Sequence, residues 1–229
     1  MTIYSITPAR GGSKGIHRKN ILPIAGKPLI SHSIEQSLQS SHINRTIVNT
    51  DDQEIATVAK NYGAEVIIRP AEISGDTASS ESALIHTLEY LKQTEDYEPD
   101  LVVFLQCTSP LRQSNDIDKA ISQFQDEQAD SLLSVSPGHS FLWEKIDGIA
   151  QSINYDYRNR PRRQDMNPQY RENGSIYIFK PWVLQQYNNR LGGKISLYVM
   201  DEPCIDIDSM LDFEIAEFLL TKQQKNYAN

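Results

Sequence analysis

Short apolar runs rich in Val, Ile and Leu alternate along the chain with stretches whose apolar residues recur every three or four positions. That alternation predicts strands separated by amphipathic helices, the βαβ grammar of a mostly parallel sheet. Residues 2–7 predict a first strand, followed by a glycine-rich loop. Pro28 then opens a helix through residue 40, with Leu29, Ile30, Ser33, Ile34, Ser37 and Leu38 on one face. Strands over 46–49 and 65–68 flank a helix over 53–62. A helix over 80–92 turns Leu84, Leu88 and Leu91 inward. The most hydrophobic run, 101–105, predicts a central strand buried on both faces. A helix over 115–128 and a strand over 131–135 follow.

The pattern lapses at 139–173, a polar stretch rich in Arg, Asn, Gln and Pro. It resumes with strands over 174–179 and 195–199 and a last helix from Met210 to about Gln223, which Ser209 and Asp212 start as a capping pair. No repeat, low-complexity tract or linker divides the sequence. The expectation is one doubly wound α/β domain over residues 1–229, with 139–173 as a projecting element. An irregular stretch of this length is unusual inside a compact domain. It still carries Phe141, Leu142, Trp143, Ile146, Ile149, Ile153, Tyr155 and Tyr157 among its arginines. That mixture predicts an interface, and hence a two-fold homodimer with Arg163 or its neighbours near the second subunit's ligands.

Composition narrows the class. Hydrophobic residues make up 39% and charged residues 23% of 229, ordinary for a globular protein. No apolar run approaches the ~20 residues of a membrane span. Met1 leads straight into a β-like run without the features of a signal peptide. Cys107 and Cys204 are too few for a disulfide framework and lack metal-ligand spacing, so a reducing cytoplasm is expected. The net charge of −8 argues against general binding of nucleic acid or anionic membranes. Its distribution is uneven, however. No acidic residue precedes Glu35, whereas Arg10, Lys14, Arg18, Lys19 and Lys27 do, and a second basic run holds Arg158, Arg160, Arg162, Arg163 and Arg171. Positive charge confined to two short segments of an acidic protein predicts anion sites.

The first of these segments contains Pro8-Ala9-Arg10-Gly11-Gly12-Ser13-Lys14-Gly15, directly after the first strand. Glycines let backbone N–H groups approach phosphate oxygens while Arg10 and Lys14 neutralise them, and Lys19-Asn20 lies close enough to reach the same ligand. The loop reads as a triphosphate cradle. Gly11–Gly15 also spells the G-x-S-x-G of a nucleophile elbow, but an elbow needs a helix immediately after the serine. Pro23, Gly26 and Pro28 make 16–28 an extended loop instead. Neither a Walker A loop nor G-x-G-x-x-G is present.

Near the other end, Cys204-Ile205-Asp206-Ile207-Asp208 alternates apolar and acidic residues. In a strand both carboxylates would share a face, where they repel unless a cation lies between them. Two carboxylates completed by phosphate and water suit Mg²⁺. An EF-hand starting at Asp206 fails, because Met210 and Leu211 occupy positions that need a ligand and a glycine.

Three middle segments complete the set. Asp76-Thr77-Ala78-Ser79-Ser80 opens a helix. Gln106-Cys107-Thr108-Ser109-Pro110-Leu111-Arg112 follows the central strand, and Arg171-Glu172-Asn173-Gly174-Ser175-Ile176-Tyr177 re-enters the sheet. With Arg69-Pro70-Ala71-Glu72, the glycine-rich loop and the paired aspartates, they form six ordered motifs that resemble the N-acylneuraminate cytidylyltransferases, from Ile6 to Phe218. The resemblance implies a Rossmann-like nucleotidyltransferase fold of the nucleotide-diphospho-sugar transferase type and transfer of CMP from CTP to an acidic nine-carbon sugar. It implies that Arg10, Ser13, Lys14 and Lys19 hold the CTP phosphates, and that Asn20, Arg69 and Ser80 read cytosine and ribose. Gln106 and Arg171 would meet the sugar, and Asp206 and Asp208 would carry Mg²⁺, with Arg10, Lys19 and the two aspartates as the catalytic set. Members of this family pair through an element like 139–173. Many that act on N-acetylneuraminate have a sugar-holding lysine where this chain has Trp143. Legionaminate and pseudaminate therefore stand as alternative acceptors. The Kdo cytidylyltransferases, similar in fold but with a different pattern where this loop has Gly-Gly-Ser-Lys-Gly, rank second, and a silent nucleotide-binding protein is the alternative of another class. No side chain stands out as a general base.

Overall fold

The computed structural model of the chain describes residues 1–13, 15–75, 77–201 and 203–227. In chain order its elements are β1 (Ile3–Pro8), β2 (Pro23–Ile24), β3 (Lys27–Pro28), α1 (Leu29–Gln39), β4 (Arg45–Thr50), α2 (Gln53–Asn61), β5 (Glu65–Ile68), α3 (Ser80–Glu95), β6 (Leu101–Leu105), α4 (Asp116–Asp126) and β7 (Ser131–Gly138). There follow β8 (Trp143–Ile146), β9 (Ile149–Ser152), β10 (Gln169–Phe179), α5 (Pro181–Tyr187), β11 (Ile195–Val199) and α6 (Met210–Tyr227). Seven strands form one sheet in the order β11-β7-β10-β6-β1-β4-β5. All its pairings are parallel except those of β10, which runs antiparallel to both β6 and β7.

Burial on both faces explains the apolar runs. On β6, Leu101, Val103 and Leu105 pack against Ile117, Ile121 and Phe124 of α4. The alternate residues Val102 and Phe104 meet Leu84 and Leu88 of α3 and Val183 and Leu184 of α5. Helices α1 and α2 cover β4 through Ile30, Ile34, Ile55 and Ala59 around Val48. Strand β1 lies between β6 and β4, so the chain winds away from it in both directions. The loops leaving β1 and β6 therefore open a crevice at a topological switch point.

Several expectations shift at their edges. Residues 16–28 do not remain an extended loop: they hold a 3₁₀ turn over Lys19–Ile21 and the β2–β3 hairpin, whose Ala25 and Gly26 both adopt positive φ. Leu38, expected on the buried face of α1, is half exposed and lies over Gly63. The run 204–208 is extended but belongs to no sheet. The irregular excursion is shorter than 139–173, because β10 already begins at Gln169. Within it β8 and β9 form a hairpin turned by Asp147 and Gly148, both at positive φ. Leu142, Trp143, Ile146, Ile149 and Ile153 stand exposed on it. The Trp143 ring meets Tyr155 in a T-shaped contact and Tyr157 at a tilt, and Arg160 lies 4.2 Å over the Phe141 ring.

Candidate functional site

The crevice holds two adjoining cavities. The first, of about 360 Å³, is lined by Arg10, Ser13, Gly15, Lys19 and Asn20 from the loop after β1, with Arg69 after β5, Ser79 and Ser80 at the start of α3, Gln106 after β6, and Asp206 and Asp208. The second, of about 500 Å³, is lined by Arg171, Glu172, Gly174 and Tyr177 of β10, by Asp212, and again by Gln106 and Asp206. Gln106 and Asp206 thus stand at the junction. Every proposed site residue that the structure describes lines one cavity or the other; Lys14 lies outside the described residues.

Local geometry explains how the loops converge. Asn20 is buried and braces the loop after β1: its Nδ2 donates to the Arg10 carbonyl at 2.9 Å, and its Oδ1 accepts from Cys107 Sγ at 2.9 Å. Its amide is partly committed to structure, leaving one N–H and one lone pair for a ligand. Burial raises the Cys107 thiol to about 11, so it stays a protonated donor. Gly15 lies against the backbone of Asp208, where an added Cβ would come within 2.3 Å of the carbonyl oxygen. Lys19 Nζ donates to the Ile207 carbonyl and stands 3.3 Å from Asp208 Oδ1. Ile207 is buried, and its N–H donates to the Thr108 carbonyl at 2.9 Å. That anchor puts Asp206 and Asp208 on the cavity side without any strand ladder.

The first cavity is rich in donors. Arg10 lines it and donates to the Gly75 carbonyl at 3.1 Å. Arg69 is 6% exposed, its guanidinium 3.7 Å from Asp51 and its Nε without a hydrogen-bond partner among the described residues. Burial lowers the Arg69 pKa. A buried N–H left without a partner marks a place for a polar ligand. The N-terminus of the 16-residue α3 points its free N–H groups to the same region at Ser80. The described residues 15–18 after Ser13 form bends and turns rather than a helix, which removes the nucleophile-elbow reading.

Not all the basic residues contribute. Arg18 pairs with Asp52 at 2.6 Å and with Glu54, and Lys27 pairs with Glu35. Arg162 pairs with Asp165 at 2.7 Å, while Arg163 lines a separate hollow at the base of the hairpin. Arg112, the end of its motif, is fully buried and structural. It donates to the carbonyls of Ser175 and Gln106 and to Ser33 and Gln36, tying β10 to the loop after β6. Glu172, Tyr177 and Asp212 line the second cavity although no sequence argument placed them at the site. Tyr177 lay within a quoted motif, but only the fold brings its hydroxyl to Glu172.

The arrangement can hold a polyanion on Arg10, Lys19 and the glycine-rich loop, with two carboxylates facing it and a second, arginine-bearing cavity alongside. The donor set fits a magnesium ion. Asp206 and Asp208 are both exposed on the cavity wall, and the Lys19 ammonium already stands beside Asp208 as a cation would. Among the described residues no group of three or more His, Cys, Asp or Glu could hold a metal. Its remaining ligands would therefore come from phosphate and water.

A cytidylyltransferase family model matches residues 4–228. Among curated proteins the chain is 37% identical to the post-translational flagellin modification protein B of Campylobacter coli, over 94% of this chain and 93% of that protein. It is 32% identical to the pseudaminic acid cytidylyltransferase of Campylobacter jejuni, over 93% and 94% respectively. It is 34% identical to the N-acylneuraminate cytidylyltransferase of Escherichia coli, over 97% of this chain but only 52% of that protein, so it spans about half that relative's length. Among solved structures, a CMP:2-keto-3-deoxy-manno-octonic acid synthetase complexed with CTP superposes with a TM-score of 0.74 at 19% identity, over 97% of this chain and all of that one. That likeness is one of fold.

Proposed function

The chain belongs to the cytidylyltransferase family, and from that premise we propose that it transfers CMP from CTP to the anomeric hydroxyl of a sialic-acid-like nonulosonic acid, releasing pyrophosphate. The observation that carries this reading is the pair of adjoining cavities meeting at Gln106 and Asp206. One offers cations and backbone N–H groups to a triphosphate, and the other offers Arg171 to a carboxylate.

In this reading Arg10, Lys19 and the loop over 11–15 hold the phosphates, with Ser13 and Lys14 assisting, while Asn20, Arg69 and Ser80 orient the nucleoside. The oxygen of the acceptor attacks the α-phosphorus, the bond to the β-phosphate oxygen breaks, and the acceptor's proton leaves to solvent. Positioning and charge neutralisation carry such a reaction, because the protein forms no covalent intermediate. Asp206 and Asp208 would hold magnesium, which when bound neutralises phosphate charge and acidifies the attacking hydroxyl. Lys19 would then exchange Asp208 for phosphate oxygens.

A second reading of the acceptor has its own support. The resemblance puts Trp143 where many enzymes acting on N-acetylneuraminate carry a lysine, and the relative named for pseudaminic acid is matched over 94% of its length. Pseudaminate and legionaminate are therefore the alternative acceptors. Pyrophosphate release from CTP and magnesium with a panel of nonulosonic acids decides among them. Equal turnover of a neutral hexose phosphate would overturn the function.

The exposed hairpin supports a homodimer in which each hairpin meets the partner chain. Leu142, Trp143, Ile146, Ile149 and Ile153 together exceed what isolated surface residues present. Sedimentation should give a dimer at micromolar concentration; a monomer refutes the assembly. No helix among the described residues is long and apolar enough to cross a membrane, and both cysteines are free. A reducing cytoplasm, where CTP is available, completes the proposal.

A further inference from the structure

The acceptor cavity holds a carboxylate that the reaction above leaves unused. Glu172 lines it beside Arg171, although neighbours along a regular strand point to opposite faces. β10 breaks register directly after this pair. Glu172 lies opposite Val135 of β7 and Tyr177 opposite Leu133, so five steps along β10 accompany two along β7. Asn173 pins the displaced segment: its buried Oδ1 accepts from Ser134 Oγ at 2.6 Å and from the Ser175 N–H at 3.2 Å, and its Nδ2 donates to Ser136 Oγ at 3.1 Å. Gly174 completes the turn at φ 69° with its Cα against Gln106, where a Cβ would meet Oε1 at 2.6 Å.

The same irregularity brings the Tyr177 hydroxyl to Glu172, to which it donates. Two partners hold the Tyr177 ring. It stacks on Phe104 with centroids 5.3 Å apart, and the Arg190 guanidinium, fixed by Glu81 at 2.8 Å, lies 4.6 Å from its centre. Burial and the bond to Glu172 raise the Tyr177 pKa, so the phenol remains a donor and Glu172 an acceptor. Of the other carboxylates lining this cavity, Asp212 accepts from the Ser209 and Asp208 backbone N–H groups, and Asp206 belongs to the proposed metal site. One oxygen of Glu172 is held by Tyr177; the other has no partner among the described residues.

We propose that Glu172 is a specificity residue of the acceptor cavity. While Arg171 takes the acceptor's carboxylate, the free oxygen of Glu172 accepts a hydrogen bond from a hydroxyl or amide N–H on the same sugar, and Tyr177 is the positioning residue. The inference rests on the acceptor reading given above and names what that acceptor must carry: a hydrogen-bond donor within reach of its carboxylate. An acceptor blocked there would leave Glu172 desolvated and unpaired, which a site built for a donor rejects strongly.

Steady-state kinetics on Glu172→Ala, Glu172→Gln and Tyr177→Phe test this, with CTP and the acceptor varied separately. Glu172→Ala should raise the acceptor KM about 10- to 100-fold, the scale of a hydrogen bond to a charged group, and leave the CTP KM unchanged. Glu172→Gln keeps an acceptor oxygen and should show a smaller rise. Tyr177→Phe should move the same constant, with no further effect on top of Glu172→Ala. Acceptors with single hydroxyls removed, or with the acylamido nitrogen methylated, locate the donor. The wild type should discriminate against one of them by the factor lost in Glu172→Ala, and that variant should not. An acceptor KM within about twofold of wild type in folded Glu172→Ala, or an equal shift in the CTP constant, overturns the assignment while the proposed function stands. A wild type that turns over no carboxylated sugar overturns both.

Discussion

The contact between Gly15 and Asp208 joins the phosphate loop to the segment bearing the two carboxylates, and a single methyl group tests it. In Gly15→Ala the new Cβ would lie 2.3 Å from the Asp208 carbonyl oxygen, whereas ordinary contact begins near 3.4 Å. The neighbour is backbone, so it cannot rotate away, and loop and segment must separate by about 1 Å. Displacement on that scale at a site that works by positioning costs on the order of 10²-fold in turnover. Overpacking costs about 1–3 kcal/mol of stability at most, and the half-open surroundings of Gly15 keep the effect at the lower end. Gly138→Ala at the end of β7 is the control, since a Cβ there meets nothing nearer than 3.7 Å and the residue neither lines the two cavities nor adopts positive φ. The assay is initial-rate pyrophosphate release at saturating CTP, magnesium and acceptor, with thermal unfolding of both variants alongside. A folded Gly15→Ala enzyme within about threefold of wild type, or a Gly138→Ala enzyme equally damaged, would refute the reasoning.

Asp208→Asn should lower turnover by at least about 10²-fold with an unchanged melting temperature, as expected when a charge-neutralising metal is lost; normal magnesium-dependent rates would remove the metal assignment. Arg112→Met strips five hydrogen bonds and leaves the Ser175 and Gln106 carbonyls without their guanidinium donor. It should cost about 3 kcal/mol in denaturant unfolding, and a loss below about 1 kcal/mol would show those carbonyls satisfied otherwise. His32 is buried with its Nε2 against the Ile24 carbonyl, and burial depresses it from 6.5 to about 4. The unfolded chain then binds the extra proton first, so its contribution is intact above pH 6.5 and falls as pH drops to about 4, by at most about 3 kcal/mol. Stability curves measured across that window should flatten in His32→Gln, and an unaltered slope would exclude His32 as its source.

What was legible in the chain, and what was not, follows from the range of the interactions involved. A run buried on both faces declares itself through composition, and Leu101–Leu105 occurs as the pattern predicts. The partly exposed edge strands Glu65–Ile68 and Ile195–Val199 occur where their apolar residues predict them. The β2–β3 hairpin and α5 escaped because each is short and begins at a proline, so too few periodic positions exist to register. Leu38 reads as core from helical spacing alone, yet it stands half exposed beside the turn at Gly63.

The paired aspartates share a side of the chain as expected, but not for the expected reason. Alternation predicted a strand, and no strand forms. The alternation still works, because a single buried side chain, Ile207, and a single backbone bond to Thr108 impose the same sidedness that a ladder would. Sidedness needs only one anchored apolar residue between two polar ones, so the pattern carries the chemistry even where it misnames the element. The acceptor cavity is the opposite case. Gln106, Arg171, Glu172 and Asp206 meet there because β10 enters antiparallel between β6 and β7 and breaks register between Glu172 and Tyr177. Neither event leaves a periodic trace, since Asn173-Gly174 reads as an ordinary turn signal until the strands on either side are known. The nucleotide half of the site is built from contiguous loops and could be read; the acceptor half is built from topology. That division explains why cytidylyl transfer follows from the sequence more readily than the identity of the sugar, which the side chains gathered by that break in register must decide.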